Sequence, residues 1–362
     1  MFKSIQFALR NSNTIRSSSR LLNNNNNGYL SGVNRFFTTE PNTADIKVPT
    51  TLIMELRKKS DAPLTDCKVA LQNCELNVER AVKWLLEKGK ARANKLQNRV
   101  SAEGIISVQV NNDTKSAVIL EINSETDFVS RGETFRTLAK LITTSSLNNV
   151  STIGKKSSVG CVPELEIDQI KSNKVVFGED GEMTIDEALI RTISKLRENL
   201  ILRRAAVIEP SNKSNVIVSG YAHDPQGTRE IGRLGSIVKI EYEGECNDIA
   251  ALKTLADQLA VHIVGVSPTV VGIQDIPQEM LDECAKNKKH PGSLYNEHCL
   301  LEQSFISSSD GDSVKQHIEK LAKKLNCTIT VKGFKRYEVG QGIEKKVENY
   351  ADEVMGKINA SK

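Results

Sequence analysis

One short stretch, residues 125–131 (Glu-Thr-Asp-Phe-Val-Ser-Arg), combines a single aromatic side chain with two carboxylates and an arginine. A β-branched run at residues 117–123 precedes it, and apolar residues at helical spacing follow it from Phe135 onward. We therefore predict a charged loop that projects from a sheet edge and opens a helix. Phe128 stands where a solvated turn usually carries a polar residue, so it either packs beneath its own helix or is presented to a partner.

Motifs for covalent or nucleotide chemistry are absent from the sequence. It contains no Gly-x-x-x-x-Gly-Lys-[Ser/Thr] loop and no Gly-x-Ser-x-Gly elbow. Gly340-Gln341-Gly342 lacks the third glycine and the strand-to-helix setting of a dinucleotide-binding loop, and the histidines and cysteines lack recognised zinc spacing. We therefore expect no enzymatic activity, no cofactor, no metal and no direct nucleotide binding.

Composition narrows the class of protein further. A chain of 362 residues is long enough for two or three domains. Its seven cysteines are scattered without a Cys-x-x-Cys pair, and their odd number argues against a complete disulfide framework and favours a reducing compartment. The net charge of +4 comes from residues 1–39, which hold five basic residues and no acid; the remainder has 44 basic and 45 acidic residues. Because that remainder is nearly neutral, we expect no specific nucleic-acid partner.

Residues 1–40 are basic, rich in serine and asparagine, and free of acid before Glu40. This composition is typical of a mitochondrial transit peptide and linker, with residues 35–39 as the processing region; a disordered basic tail is the alternative. The apolar runs here are too short to span a membrane. The sequence thus predicts a protein of the mitochondrial matrix with no membrane partner.

Residues 46–98 are predicted to form a compact module of three short helices. Thr65 or Asp66 is expected to cap the second helix, and the apolar stripe of the third ends at Gly89. A basic linker helix at residues 88–99 is expected to follow, with a solvated face.

The period of the apolar pattern changes after Gly104. Two strands, a charged loop and a helix are followed about 120 residues later by a similar series, with strands at 216–221 and 236–242 and a helix at 249–264. We predict an α+β fold with a duplicated core, two small antiparallel sheets with packed helices, in subdomains 100–210 and 211–340.

The two copies differ in the loop before the helix. The first loop carries Phe128 where the second carries Asp248. A residue needed only to fold the unit would be expected in both copies, so the difference favours a partner-binding role for Phe128.

The remaining segments are assigned from local signals. Residues 145–182 are polar and contain several glycines, so they are predicted to be a surface insertion. Thr184 is expected to cap a helix that runs to Arg197, and Arg203-Arg204 to be ion-paired scaffold before a strand at 205–208. The other predicted elements are helices at 278–289, 314–325 and 343–358, a strand at 328–339, an interruption at Pro291-Gly292, and a C-terminal segment, 341–362, that is largely helical.

Four motifs in this order resemble the elongation factor Ts family, the nucleotide exchange factors of elongation factor Tu. They are Leu56-Arg57 with Asp66-Cys67-Lys68-Val69-Ala70-Leu71, the Thr-Asp-Phe-Val stretch at 126–129, the block from Lys195 to Arg204, and the block from Arg336 to Lys345. The resemblance spans roughly residues 46 to 350 and implies that the helical module at 46–98 is ubiquitin-associated-like.

The resemblance also implies a function, namely binding of elongation factor Tu that carries GDP and acceleration of GDP release. Phe128 is implied to be a wedge inserted near the switch helix of the GTPase, with Asp127 in support. His223 matches a family histidine that presses near the phosphate-binding loop, and Leu196-Arg197 occupies the place of a family Ile-Gly contact. The implied site residues are Asp127, Phe128, Val129, Leu196, Arg197 and His223 in the core, and Leu56, Arg57, Asp66, Cys67 and Lys68 in the N-terminal module.

The resemblance bears on oligomeric state as well. Bacterial members associate with one another through a helical hairpin, and the segment 267–305 is too short for a full one. We therefore expect a one-to-one complex with elongation factor Tu. Two alternatives stay open: a mitochondrial RNA- or ribosome-associated factor that uses the basic linker and the helical module, and a ubiquitin-associated-like adaptor without exchange activity.

Overall fold

The computed structural model describes residues 46–113, 115–156, 162–177, 181–224, 228–287 and 290–344. The predicted transit peptide and the predicted C-terminal helix beyond Glu344 lie outside the described residues. Helices and small antiparallel sheets alternate along the described chain, which is an α+β protein as predicted.

Three helices open the described chain: α1 (Thr50–Ser60), α2 (Leu64–Asn73) and α3 (Val78–Leu96). They enclose a small apolar core of their own around Leu56 and Leu71. The prediction of three helices is confirmed. The predicted cap of the second helix is wrong, because α2 begins at Leu64, directly after Pro63, and leaves Thr65 and Asp66 inside its first turn.

Gly89 does not end the third helix but lies inside it, contrary to the prediction. A Cβ atom at this position would lie 2.7 Å from Oγ of Ser194 and 2.9 Å from Cγ2 of Ile190, both on a later helix. Close packing of two helices therefore explains the glycine. The basic residues from 88 onward continue α3 as far as Leu96 instead of forming a separate linker helix.

The first copy of the core is a sheet with helices packed on it. Its elements in chain order are β1 (Glu103–Asn111), β2 (Ser116–Ser124), α4 (Asp127–Arg131), α5 (Glu133–Asn148), β3 (Lys155–Lys156), β4 (Glu164–Leu165), α6 (Ile167–Ser172), β5 (Lys174–Val176), β6 (Glu182–Thr184), α7 (Ile185–Leu196) and β7 (Ile201–Ile208). Thr184 caps α7 as predicted, in a capping box completed by Glu187.

The second copy repeats two strands followed by a long helix. Its elements are β8 (Val216–His223), β9 (Ile231–Gly232), β10 (Leu234–Glu243), α8 (Ile249–Val266), α9 (Gln278–Lys286), α10 (Pro291–His298), α11 (Val314–Leu325) and β11 (Thr328–Glu338). The second sheet has the antiparallel order β11-β10-β8. Pro291 stands at the start of α10, where a missing N–H costs nothing, so it begins a helix instead of interrupting one.

The strand before the Phe128 stretch lies inside its sheet. β2 pairs antiparallel with β1, with Ile122 opposite Ile105, and with β7, with Ile119 opposite Ala206. The strand order of this sheet is β3-β4-β7-β2-β1-β9. The stretch therefore leaves the end of an interior strand, and the expectation that it projects from a sheet edge is wrong.

Each of the two main sheets has a helix-covered face with its own apolar core, named the first core and the second core, and a further apolar core lies between these two sheets. Leu138 and Ile142 of α5 pack in the first core, and Leu252 and Leu259 of α8 pack in the second. The core between the sheets contains Ile106, Ile119, Val218, Ile237 and Tyr337. Among the described residues, α8 is the one helix with the length and hydropathy of a membrane span, and its place in the second core accounts for that composition.

Part of the predicted surface insertion is core. α5 continues to Asn148, and β3 and β4 extend the first sheet beside β7. Leu165 and Ile170 are buried in the first core. The expectation that residues 145–182 form a surface insertion is therefore wrong for these residues.

A buried carboxylate joins the two copies. Glu121 of β2 is fully buried and pairs with Arg203 at 3.1 Å and Arg204 at 2.6 Å. It also accepts a 2.8 Å hydrogen bond from the backbone N–H of Gly340, and Arg204 donates to the carbonyl oxygen of Glu338. The two arginines lie within β7 and not before it, but their predicted scaffold role is confirmed, and the motif around residues 336–342 belongs to the same junction.

Candidate partner-binding site

The stretch predicted to be a loop folds into the short helix α4, and Phe128 points outward from it. The Phe128 residue is 84% exposed, whereas Ser130 is buried and Val129 packs against the first core. Thr126 is the N-cap of this helix. Of the two alternatives left open by the sequence, packing of Phe128 beneath its own helix is therefore excluded in this structure.

Asp127 forms an ion pair with Arg131 at 2.9 Å, one turn along the same helix. Both side chains are substantially exposed to solvent, so the pair contributes little to stability, about 0–1 kcal/mol. The carboxylate next to Phe128 thus stays at the surface, where a partner can reach it.

The base of α4 is fixed by a reciprocal set of contacts, which we call the brace. Glu198 accepts hydrogen bonds from the N–H of Thr126 at 3.1 Å and from its hydroxyl at 2.7 Å. In the other direction, Glu125 accepts from the N–H of Asn199 at 2.7 Å and pairs with Arg99 at 3.3 Å. The brace joins the residues before α4 to those after α7.

Leu196 and Arg197 directly precede the brace. Leu196 is half-buried against the first core, and Arg197 is exposed. Arg197 is the C-cap of α7 with φ of 62° and ψ of 21°, a left-handed conformation in which glycine is usual. The glycine of the family Ile-Gly pair therefore corresponds to a position whose left-handed backbone favours glycine. In this chain, Arg197 adopts that left-handed conformation.

His223 lies at the exposed end of β8, and its Nδ1 is 3.0 Å from the hydroxyl of Tyr221. The next residue, Asp224, pairs with Arg136 in the first turn of α5 at 2.6 Å. This ion pair ties the helix that follows Phe128 to the strand end that carries His223.

Comparison with known proteins decides the family. The family model described as Elongation factor TS matches residues 125–291. A protein named Elongation factor Ts, mitochondrial, from Heterostelium pallidum is 49% identical over 328 residues, covering 91% of this chain and 88% of the relative. One with the same name from Dictyostelium discoideum is 47% identical over 361 residues, covering 95% and 100%, and Elongation factor Ts of Clostridium novyi is 32% identical over 331 residues, covering 85% and 98%.

The chain belongs to the elongation factor Ts family. The resemblance found in the sequence is thereby confirmed, and with it the role of nucleotide exchange factor in translation elongation. The relatives named mitochondrial place this family member in mitochondria.

The family's N-terminal motif divides here into scaffold and surface. Leu56 and Cys67 are buried, and burial raises the pKa of the Cys67 thiol. Burial of Asp66 would raise the pKa of its carboxyl, but the ion pair with Lys88 at 2.9 Å and that with Arg92 hold the pKa below its usual value.

Arg57 and Lys68, the two remaining implied site residues of the N-terminal module, are exposed. Of the implied site residues of this module, these two are the ones that a partner can reach without disturbing the helical core.

The module is attached to the helix that ends at the brace. Arg92 of α3 donates to the carbonyl oxygen of Ser194 at 3.0 Å, and Arg191 of α7 donates to that of Lys59 at 3.1 Å. Lys195 pairs with Asp61. Through α7, the module and the base of α4 form one connected structure.

Sequence reasoning assigned no role to Glu125, Glu198 or Asn199. All three lie in or beside the quoted family motifs. Glu198 pairs with Thr126 and Glu125 pairs with Asn199, and the partners lie more than seventy residues apart in the chain. No local periodicity of the sequence predicts such contacts.

Proposed function

We propose that this chain binds mitochondrial elongation factor Tu carrying GDP, in a one-to-one complex, and promotes GDP release by inserting Phe128. The observation that carries the proposal is an aromatic residue, 84% exposed, on a helix whose base is fixed by the brace. Removing a large apolar side chain from water is favourable, and an exposed Phe128 obtains this stabilisation only when a partner covers it.

The energetics of exchange suit such a side chain. A partner that prefers the empty GTPase weakens nucleotide binding by the same factor by which nucleotide weakens the partner. Each factor of ten in that coupling requires a difference of about 1.4 kcal/mol in binding free energy between the empty and the nucleotide-bound GTPase. A buried aromatic anchor at an interface supplies about 2–4 kcal/mol, enough for a coupling of about thirtyfold or more.

The other contacts follow from the placement of the residues. Asp127 supports the wedge near the switch helix, and insertion there displaces groups that order the Mg²⁺ site of the GTPase. Val129, next to the wedge, packs against the first core, and Leu196 and Arg197 directly precede the brace. His223 is the second contact, held relative to α5 by the Arg136–Asp224 ion pair.

The outer parts of the chain complete the proposal. The helices α1, α2 and α3 form a ubiquitin-associated-like module that offers Arg57 and Lys68 to the partner. Residues 1 to about 37 act as a transit peptide that is removed on import. The one-to-one stoichiometry rests on the shortness of α9 and α10, nine and eight residues long, in the place of the family's self-association hairpin.

The test is release of labelled GDP from mitochondrial elongation factor Tu in the presence of Phe128→Ala. We expect the stimulated rate to fall by about thirtyfold or more, because the variant loses about 2 kcal/mol or more of the binding free energy that Phe128 contributes in the complex. Ile306→Ala is the matched control, since Ile306 is also an exposed apolar residue, at 55%, but lies in the second copy.

A Phe128→Ala protein that stimulates release like the wild type would contradict the assignment of the wedge. Light scattering of the purified complex tests the stoichiometry, and a mass of two copies of each chain would contradict it.

A further inference from the structure

We propose that Glu198 is a positioning residue for exchange: its carboxylate holds α4 in the orientation in which Phe128 can enter the partner. This inference rests on the proposed function of Phe128. It assigns a role to a residue that lies outside α4 and acts through it.

The carboxylate engages one residue twice. One oxygen of Glu198 accepts from the backbone N–H of Thr126, and the other accepts from its hydroxyl, at 3.1 Å and 2.7 Å. Since the hydroxyl hydrogen is committed to Glu198, a lone pair of the same oxygen is left for the N–H of Val129, 3.4 Å away. Glu198 thereby fixes the N-cap of α4 in its capping orientation.

The carbonyl group of Thr126 is also occupied. It accepts from the hydroxyl of Ser124 at 2.9 Å and from the N–H of Ser130 at 3.4 Å. All the polar groups of Thr126 therefore have partners, and two of these hydrogen bonds end on the charged group of Glu198, where hydrogen bonds are strongest.

Helix α4 cannot hold this orientation unaided. It has five residues, far fewer than an isolated helix needs in water, and Gly132 follows it. Its internal ion pair, Asp127 with Arg131, is exposed and weak. The order of α4 depends on tertiary anchors, and the anchor at its start is Glu198.

The physical consequence is a specific kinetic signature. If the competent orientation of α4 is populated only part of the time, the apparent dissociation constant rises by the inverse of that fraction, while the bound state is unchanged. Loss of Glu198 should therefore raise the concentration of exchange factor needed for half-maximal GDP release and leave the maximal rate nearly intact. Loss of Phe128, by contrast, lowers the maximal rate.

The test compares Glu198→Ala with Glu187→Ala in the full chain. Glu187 is the matched control: it is also half-buried, lies at the opposite end of α7, and accepts from the backbone N–H of a threonine, Thr184, at the same distance of 3.1 Å. For Glu198→Ala we expect the half-saturating concentration to rise about tenfold and the maximal rate to change less than twofold. For Glu187→Ala we expect both to match the wild type, even where its melting temperature falls.

A second readout needs no partner. Chymotrypsin cleaves after an aromatic residue only when the backbone opens locally, so we expect cleavage after Phe128 to be about tenfold faster in Glu198→Ala than in wild type and unchanged in Glu187→Ala. Glu198→Gln keeps an acceptor oxygen and should stay within about threefold of wild type in both readouts.

If Glu198→Ala does not fold, Thr126→Val decides the question, since it removes the hydroxyl that Glu198 accepts from and should reproduce the rise in half-saturating concentration. Wild-type cleavage and half-saturating concentration in Glu198→Ala would overturn the inference, as would a fall in maximal rate alone. Normal exchange by Phe128→Ala would instead overturn the proposed function, and the cleavage assay would still report on the brace.

Discussion

Both copies of the core contain paired strands followed by a long helix, and the connection between the last of these strands and that helix differs between them. In the first copy, residues 125–132 include α4 and expose Phe128. In the second copy, residues 244–248 contain no helix: Cys246 packs against the second core, and the N–H of Asn247 donates to the carbonyl oxygen of Leu325 at 3.4 Å.

The comparison corrects the pairing of Phe128 with Asp248 made from the sequence. Asp248 is the N-cap of α8, accepting from the N–H of Ala251 at 3.1 Å, and it precedes the long helix as Gly132 does in the first copy. Phe128 therefore has no counterpart in the second copy, because α4 itself has none. The shared framework can be built without this aromatic residue, which is what a dedicated binding residue requires.

The largest expected effect separates two phenylalanines of the first copy, Phe135 and Phe128. Phe135 is fully buried in α5, so Phe135→Ala should lower the free energy of unfolding by about 3–5 kcal/mol. Phe128→Ala should change it by less than about 0.5 kcal/mol, because the side chain is exposed. Urea unfolding of both variants measures the difference, and a comparable loss in the two would remove the distinction between scaffold and binding residue.

The second prediction concerns a buried histidine present in the long helix of the second copy but not in that of the first. His262 is fully buried; its Nε2 lies 3.1 Å from Oε1 of Gln303, and its Nδ1 lies 3.4 Å from the N–H of Ile306. Burial lowers the pKa of His262 below its usual value, and the bond to Gln303 only partly opposes this. Stability associated with the neutral ring is therefore complete above about pH 6.5, the unfolded value, and is lost as the pH falls below it.

Unfolding measured between pH 7.5 and 5 should show this loss, at up to about 1.4 kcal/mol per pH unit for one proton. His262→Gln, which cannot be protonated, is the control and should have the shallower dependence. Parallel curves for the two proteins would mean that other groups dominate the acid sensitivity.

The smallest expected effect is that of Asp248→Ala. Removal of the N-cap should cost about 1 kcal/mol of stability. GDP release per folded molecule should equal that of the wild type, because the second connection carries no wedge. Thermal melting and the release assay on one preparation measure both, and a loss of exchange larger than the loss of folded protein would show that the second connection also meets the partner.

Local patterns predicted most of the secondary structure and the family. The helix from Thr184 was recognised from its cap and stripe, and the strands of both copies from β-branched runs. The predictions failed where a local signal had a non-local cause: Gly89 looked like a helix stop but permits close packing of α3 on α7, and residues near 165–170 looked like surface yet complete the first core.

The candidate site divides in the same way. The sequence alone establishes that Phe128 is an aromatic residue in a polar stretch after a strand and within a family motif, and that the loop before the long helix of the second copy has no aromatic residue. That Phe128 faces solvent follows only from the three-dimensional structure, because its direction is set by the burial of Ser130 and by the hydrogen bonds of Thr126 to Glu198, which lies 72 residues further along the chain. Sequence patterns report local periodicity, whereas the direction of a short helix is fixed by the contacts at its base, and those form only when distant elements pack together.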